Sequence, residues 1–240
     1  MAFTWQPALP DDVSRLQGRE MRARGMLFLV VVLLLAVGCN EPPLYRMHAR
    51  DFLQQQGVDT DLIDRLLAVE PLDGPEADRL SRFDNLAVLH LLASNPSTPA
   101  PLVARLARHS SMDVRNGVAT NPNAPLELLL SLRTPGRYTT QNNALARNPR
   151  MPQALLREMY ENQEAGWTSL AMNPSTPPDL LRKIAAEGSE VDRAWLAKNP
   201  GLTEELVLLL EKDRSRIVRN YLETNPVYQR IREGRAAASP

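Results

Sequence analysis

Between residues 84 and 233 the chain alternates short apolar stretches with hard stops, and the stops recur. The dipeptide Asn-Pro stands at 95–96, 121–122, 148–149, 173–174, 199–200 and 225–226, at intervals of 26, 27, 25, 26 and 26 residues. Repetition at a fixed period of this length marks a stack of like units. Three places before each asparagine sits a large aliphatic residue: Leu92, Val118, Leu145, Leu170, Leu196 and Leu222. The next residue is alanine in five units, at Ala93, Ala119, Ala146, Ala171 and Ala197. A large side chain beside a small one suits a helix pressed closely on its neighbours. Proline ends that helix, because it lacks an amide donor and disfavours helical backbone in the residue before it. Asparagine, on this reading, is there because it tolerates the turn.

A second helix follows each stop. Pro99, Pro125, Pro152 and Pro177 stand four residues after the asparagine, where proline suits a first helical turn. Thr98 and Thr176 read as N-caps, with Asp179 placed to complete a capping box on Thr176. Apolar residues then fall seven, eight and eleven places after the asparagine, as in Leu128, Leu129 and Leu132, or Leu155, Leu156 and Met159, or Leu180, Leu181 and Ile184. That spacing is one helical face, and strand-like alternation is absent. Neither helix reaches the ~12–15 residues that are marginal alone in water. The units must therefore stack to bury their stripes. After Asn225 the stripe gives way to Gln229, Arg230 and Arg232, as a terminal cap requires, and 234–240 reads as a tail. Ahead of the repeats, RMHARDFLQQQG and TDLIDRLLAVE predict two amphipathic helices, the second starting at Asp59 or Thr60, that cover the open edge of the first unit.

Units of the form VRNGVATNPNAPLELLLSL, residues 114–132, resemble the leucine-rich repeat variant family, and six units agree in phase. The resemblance implies an all-α, right-handed superhelical solenoid of about six short repeats, each stacking an α-helix on a 3₁₀ or short helix, here with an N-terminal helical cap. Val-Arg itself occurs only at 114–115 and 218–219, and the 133–141 and 161–167 connections are irregular. HEAT- and TPR-like stacks have longer repeats. Some relatives carry a cysteine-rich iron–sulfur module, which a chain with one cysteine cannot build.

That cysteine, Cys39, closes a different pattern. Residues 26–37, MLFLVVVLLLAV, are all apolar. The run is shorter than the ~20 residues of a membrane span but matches the ~7–15-residue core of a secretory signal. Arg22 and Arg24 precede it, and Leu35-Ala36-Val37-Gly38-Cys39 follows, resembling a bacterial lipobox. The resemblance implies cleavage before Cys39 and lipid on its thiol. Asn40, rather than aspartate, implies an outer-membrane lipoprotein facing the periplasm. A short inner-membrane anchor with a chance cysteine is the competing reading. The expected division is a polar extension over 1–20, outside the native product if translation starts at Met21, a signal peptide over 21–38, a lipidated N-terminus and cap over 39–83, and the solenoid over 84–233.

Composition adds little positive chemistry. Lys and Arg number 28, as do Asp and Glu, so no charge excess points to nucleic acid. His48, His90 and His109 share no ligand-like spacing, and no nucleophile or phosphate-loop motif occurs, so neither metal nor cofactor nor catalysis is expected. Arg115, Arg193 and Arg219 all lie six places before the asparagine. They form either a column for a protein partner or a set of structural pairs with neighbouring units. Asn116, Asn143 and Asn220, one place later, can bond between units or line a surface. Trp195 and Tyr221 are candidate anchors for a partner, since aromatics and arginine dominate binding hot spots. The function expected is a lipid-anchored protein-interaction scaffold without catalytic activity. Its rival is an envelope enzyme or regulatory subunit acting on cell-wall material.

Overall fold

The computed structural model describes residues 43–237. The signal segment, the lipobox and Cys39 lie outside the described residues. Within them the chain forms fifteen helices and no strand: α1 (Pro43–Gln55), α2 (Thr60–Leu67), α3 (Gly74–Leu80), α4 (Leu86–Ser94), α5 (Ala100–Leu106), α6 (Met112–Thr120), α7 (Leu126–Leu132), α8 (Thr140–Arg147), α9 (Gln153–Glu161), α10 (Trp167–Met172), α11 (Pro178–Glu187), α12 (Glu190–Ala197), α13 (Glu204–Glu211), α14 (Arg216–Glu223) and α15 (Pro226–Ala237). From α4 onward they pair across each Asn-Pro, giving six two-helix units in which both members are α-helical. The first helices, α4, α6, α8, α10, α12 and α14, pack on one another in sequence along the stack. This is an α-solenoid.

Each first helix drives its unit together through one column. Leu92, Val118, Leu145, Leu170, Leu196 and Leu222 are all buried, and the five alanines beside them are fully so. On the second helices the deepest position is the one eight places after the asparagine, held by Val103, Leu129, Leu156, Leu181 and Val207. Leu128 and Leu155, one place earlier, are only half-buried and pack against the core from its edge. Leu180, expected to be their equivalent, is buried.

The asparagines do more than tolerate a turn. Asn95, Asn121, Asn148 and Asn173 take extended backbone, as pre-proline residues do, with φ/ψ of −67/117 at Asn121 and −71/124 at Asn148. In that pose the side chain reaches back one unit. Asn121 Nδ2 donates to Ala93 O and Asn95 O, both at 2.9 Å. Asn148 donates to Ala119 O and Asn121 O, Asn173 to Ala146 O and Asn148 O, Asn199 to Ala171 O and Asn173 O, and Asn225 to Ala197 O and Asn199 O, all within 2.6–3.0 Å. Each Oδ1 accepts the amide two residues on, from Ser97, Asn123, Arg150, Ser175, Gly201 and Val227. Every amide is buried. The alanine carbonyl that each helix end leaves unpaired is thus satisfied by the next unit, and the asparagine carbonyl, which already accepts the amide three residues on, gains a second bond.

Two details of the second-helix start differ from expectation. Pro99, Pro125, Pro152 and Pro177 occupy the N-cap, one residue ahead of the helix, with ψ near 140°, so the proline introduces the helix instead of opening its first turn. Thr98 and Thr176 do not cap it. Their hydroxyls donate to Leu92 O and Leu170 O of the first helix, at 2.6 and 2.7 Å, and both threonines are buried. Asp179 instead holds Arg157 of the preceding unit through two bonds of 2.8 Å.

The N-terminal cap contains three helices where the pattern showed two. The third, α3, is started by a capping box between Asp73 and Glu76. Asn95 Nδ2 donates to Glu70 O at 3.0 Å, so the cap takes the place of a preceding unit in the asparagine seam. The ring of Tyr45 stacks on His90 at 5.0 Å, and Phe52 meets Phe83 edge-on, which seats α1 against α4. At the far end α15 buries Tyr228 and runs to Ala237, into the stretch expected to be a tail.

Candidate interaction face

Helical geometry decides what each first helix offers. At ~100° per residue, the positions one and five before the asparagine point away from those at three and seven, which face the core. One helix after another therefore presents a stripe on the side opposite the second helices. The position six before the asparagine lies to one side of it, and there the arginine column is found.

That column is a set of loop fasteners. Arg115 Nη1 donates to His109 O and Ser110 O at 2.6 and 2.7 Å, in the loop before its own helix. Arg219 Nη1 donates to Asp213 O in the corresponding loop. Arg193 is 6% exposed. It donates through Nη1 to Gly188 O at 2.8 Å and through Nε to Asp213 of the next unit at 2.6 Å. Burial pushes the Asp213 carboxyl up, but Arg193 and the Ser215 amide bring it below its ordinary value. Asn142 holds the same position in its unit and does the same work, donating to Thr134 O and Arg137 O at 2.7 Å. Sequence reasoning passed over Asn142, although its offset from Asn148 matched that of the arginines. Beside it, the irregular 133–139 connection is clamped by fully buried Glu164, which accepts from Arg133 Nε at 2.7 Å, Arg133 Nη2 at 2.8 Å and the Gly136 amide at 2.8 Å.

The asparagines five places before the seam divide. Asn143 Oδ1 accepts from the Gly166 amide and Ser169 hydroxyl of the next unit, at 2.8 and 2.9 Å. Asn220 is exposed, and Asn116 Oδ1 is buried without a partner. His90, at the same offset, donates from Nδ1 to Asp113 O at 2.7 Å. His109 Nδ1 accepts the Ser111 amide, and His48 is exposed. Among the described residues no cluster of three His, Cys, Asp or Glu side chains could hold a metal ion.

Along the position four before the asparagine, buried Leu91 opens the series, and from the second unit onward the side chains grow toward the C-terminus: Gly117, Ala144 and Ser169, then Trp195 and Tyr221. A Cβ on Gly117 would come within 2.6 Å of His90 O, so α4 and α6 approach as closely as only glycine allows. At the other end Trp195 and Tyr221 are half-buried. Lys198 bridges them, its ammonium 4.0 Å from the Tyr221 ring centroid and 5.1 Å from that of Trp195. Val191 and Ile217, one turn earlier on the same helices, are 58% and 49% exposed. Of the expected partner-binding residues, the structure thus joins Trp195 and Tyr221 through Lys198 and commits the arginines to loops.

Close-stacked two-helix units joined by one buried side-chain seam define an α-helical repeat protein. Residues 140–193, spanning the seam asparagines Asn148 and Asn173, match the family model of the Leucine Rich Repeat Variant domain, and over that stretch the chain is similar to such a domain. Neither a curated protein nor a solved structure matches the chain.

Proposed function

We propose that this protein is a protein-interaction scaffold without catalytic activity of its own, anchored by lipid on Cys39 to the bacterial envelope and facing the periplasm, from the outer membrane. The observation that carries the scaffold reading is the first-helix face. It keeps the register of the repeats yet varies from unit to unit, and it ends in Trp195, Tyr221 and Lys198 beside exposed Val191 and Ile217. Tryptophan and tyrosine are among the residues most enriched at binding hot spots, and here both are partly accessible. The anchor rests on the lipobox pattern ending at Cys39; no helix among the described residues is long and apolar enough to cross a membrane. More than one acyl chain on that thiol would hold the solenoid at the surface stably.

The test pairs capture with stability. Trp195→Ala and Tyr221→Ala should weaken crosslinking of the native partner in cells while shifting the melting temperature little. Loss of folding without loss of capture from the folded fraction would remove this face from the account. Cys39→Ser should abolish incorporation of a palmitate analogue, and undiminished labelling would remove the anchor.

A further inference from the structure

The arginines of the described residues follow a rule with one exception. Those withdrawn from water are engaged: Arg133 with Glu158 and Glu164, Arg193 with Asp213, Arg115 with two carbonyls. Those without a partner are exposed. Arg147 alone is mostly withdrawn from water and has no hydrogen bond or ion pair, and its Nε is buried with nothing to donate to. Burial pulls its guanidinium below the ordinary arginine value, with no carboxylate acting in the other direction. Withdrawing part of a cation from water with no anion beside it costs stability. Nothing in the packing around the seam demands it, because the same register position holds Thr120, Met172 and Thr224 in other units.

Arg147 lies one place before Asn148, on the stripe turned away from the second helices and near the middle of the stack. Its Nη1 and Nη2 are unpartnered but, unlike Nε, not buried, so they are the donors that open onto this face. Asn116 Oδ1, the other buried polar side-chain atom without a partner, belongs to the same face of the preceding unit. Two units on, Lys198 carries the second positive charge of the stripe, and it also lacks a carboxylate partner.

We propose that Arg147 is a carboxylate-binding site, the polar anchor by which the first-helix face takes an extended acidic protein segment whose neighbouring side chains lie along the face toward Lys198, Trp195 and Tyr221. The proposal rests on the scaffold reading and adds the chemistry of the partner. A carboxylate accepts two parallel bonds from the terminal nitrogens of a guanidinium, and desolvation strengthens that pair. Packed helices lie about 8–10 Å apart, so Arg147 and Lys198, two units apart, are separated by roughly 16–20 Å. An extended chain covers that span in about five or six residues at ~3.3 Å each. The fitting segment therefore carries two acidic residues at about that separation. A phosphate backbone fits less well, because the chain is electrically neutral overall and this stripe offers only two cations.

The experiment titrates the full chain, in detergent micelles, against a fluorescent nine-residue peptide that is uncharged apart from two glutamates about six residues apart. A peptide with glutamine at both places and a single-stranded oligonucleotide serve as comparisons. The glutamate peptide should bind at least about tenfold more tightly than the glutamine peptide, and that preference should disappear in Arg147→Met. Arg147→Lys should keep part of it, having the charge without the fork. Because Arg147→Met removes a partly desolvated cation that has no anion in the fold, its melting temperature should hold or rise. Equal binding of both peptides, abolished by Trp195→Ala but indifferent to Arg147→Met, would overturn the carboxylate site while leaving the scaffold standing. No binding of the glutamate peptide, tighter binding of the oligonucleotide, or early melting of Arg147→Met would each overturn it as well.

Discussion

The asparagine seam and the first-helix face sit within a few residues of each other in every unit, yet they behave in opposite ways. Along the seam five asparagines repeat the same pair of bonds to the preceding unit within a few tenths of an ångström. Across the face, one place and four places earlier, hardly two units agree: Thr120 with Gly117, Arg147 with Ala144, Met172 with Ser169, Lys198 with Trp195, Thr224 with Tyr221. Residues that build the stack must recur, because each unit meets its neighbour through the same geometry. Residues that only fill the space a neighbour leaves, as buried Gly117, Ala144, Ser169 and Met172 do, or that meet water, are free to differ. Where they differ and also leave a cation unpaired or an aromatic half-exposed, a ligand is the simplest explanation.

The sharpest way to break this contrast is to remove one rung of the seam. Asn173→Ala deletes two buried donations and one part-buried acceptance, and it strands the Ala146 carbonyl and the Ser175 amide, while Asn148 O keeps the Met151 amide. At ~1 kcal/mol for each bond and ~1–3 kcal/mol for a stranded group, the loss should be about 3–5 kcal/mol, read as the shift of a urea midpoint. A loss under ~1 kcal/mol would mean that water replaces the rung.

The core ranks next. Leu129→Ala and Leu156→Ala should cost about 2–5 kcal/mol, whereas half-buried Leu128→Ala and Leu155→Ala should cost clearly less. Equal losses from both pairs would overturn the register of the second helices.

Acid should have a smaller effect and act away from the face. The Glu164 carboxyl, pushed up by burial, is held below its ordinary value overall by Arg133 and the Gly136 amide, and Asp213 is depressed by Arg193 in the same net sense. Depressed folded-state values mean that the stability they contribute is full above the unfolded carboxylate range near ~4 and is lost as pH falls through the lower folded values. The urea midpoint should therefore stay level from pH 7 to about 5 and fall below about 4. A midpoint still level at pH 2 would contradict the clamps.

Much of the stack could be read from the chain, and its gaps have physical causes. The Asn-Pro spacing located every unit because proline stops a helix whatever its surroundings. What asparagine does there was not legible, since its partners are carbonyls 25–29 residues away that come into reach only after stacking. Leu128 and Leu129 were indistinguishable because a seven-residue helix is too short for periodicity to choose between adjacent leucines. Three arginines at one offset could be read as a partner column or as structural pairs with neighbouring units, and sequence could not choose between them. The asparagine at the same offset, Asn142, shows the shared task, which is to tie down the loop in front. The candidate site was legible only in Trp195 and Tyr221. Arg147 escaped because one arginine near a helix end is ordinary in sequence, and only the absence of any partner sets it apart.

The central claim is that neighbouring residues in one unit serve separate ends, and Arg147 and Asn148 test it side by side. Asn148 donates to Ala119 O and Asn121 O at 2.8 and 2.9 Å, while Arg147 donates to nothing. Urea unfolding of Asn148→Ala and Arg147→Met in the same buffer should show a loss of about 3–5 kcal/mol for the first, and no loss or a gain for the second. If Arg147→Met loses as much as Asn148→Ala, the face is part of the scaffold's own structure and the division drawn between them is wrong.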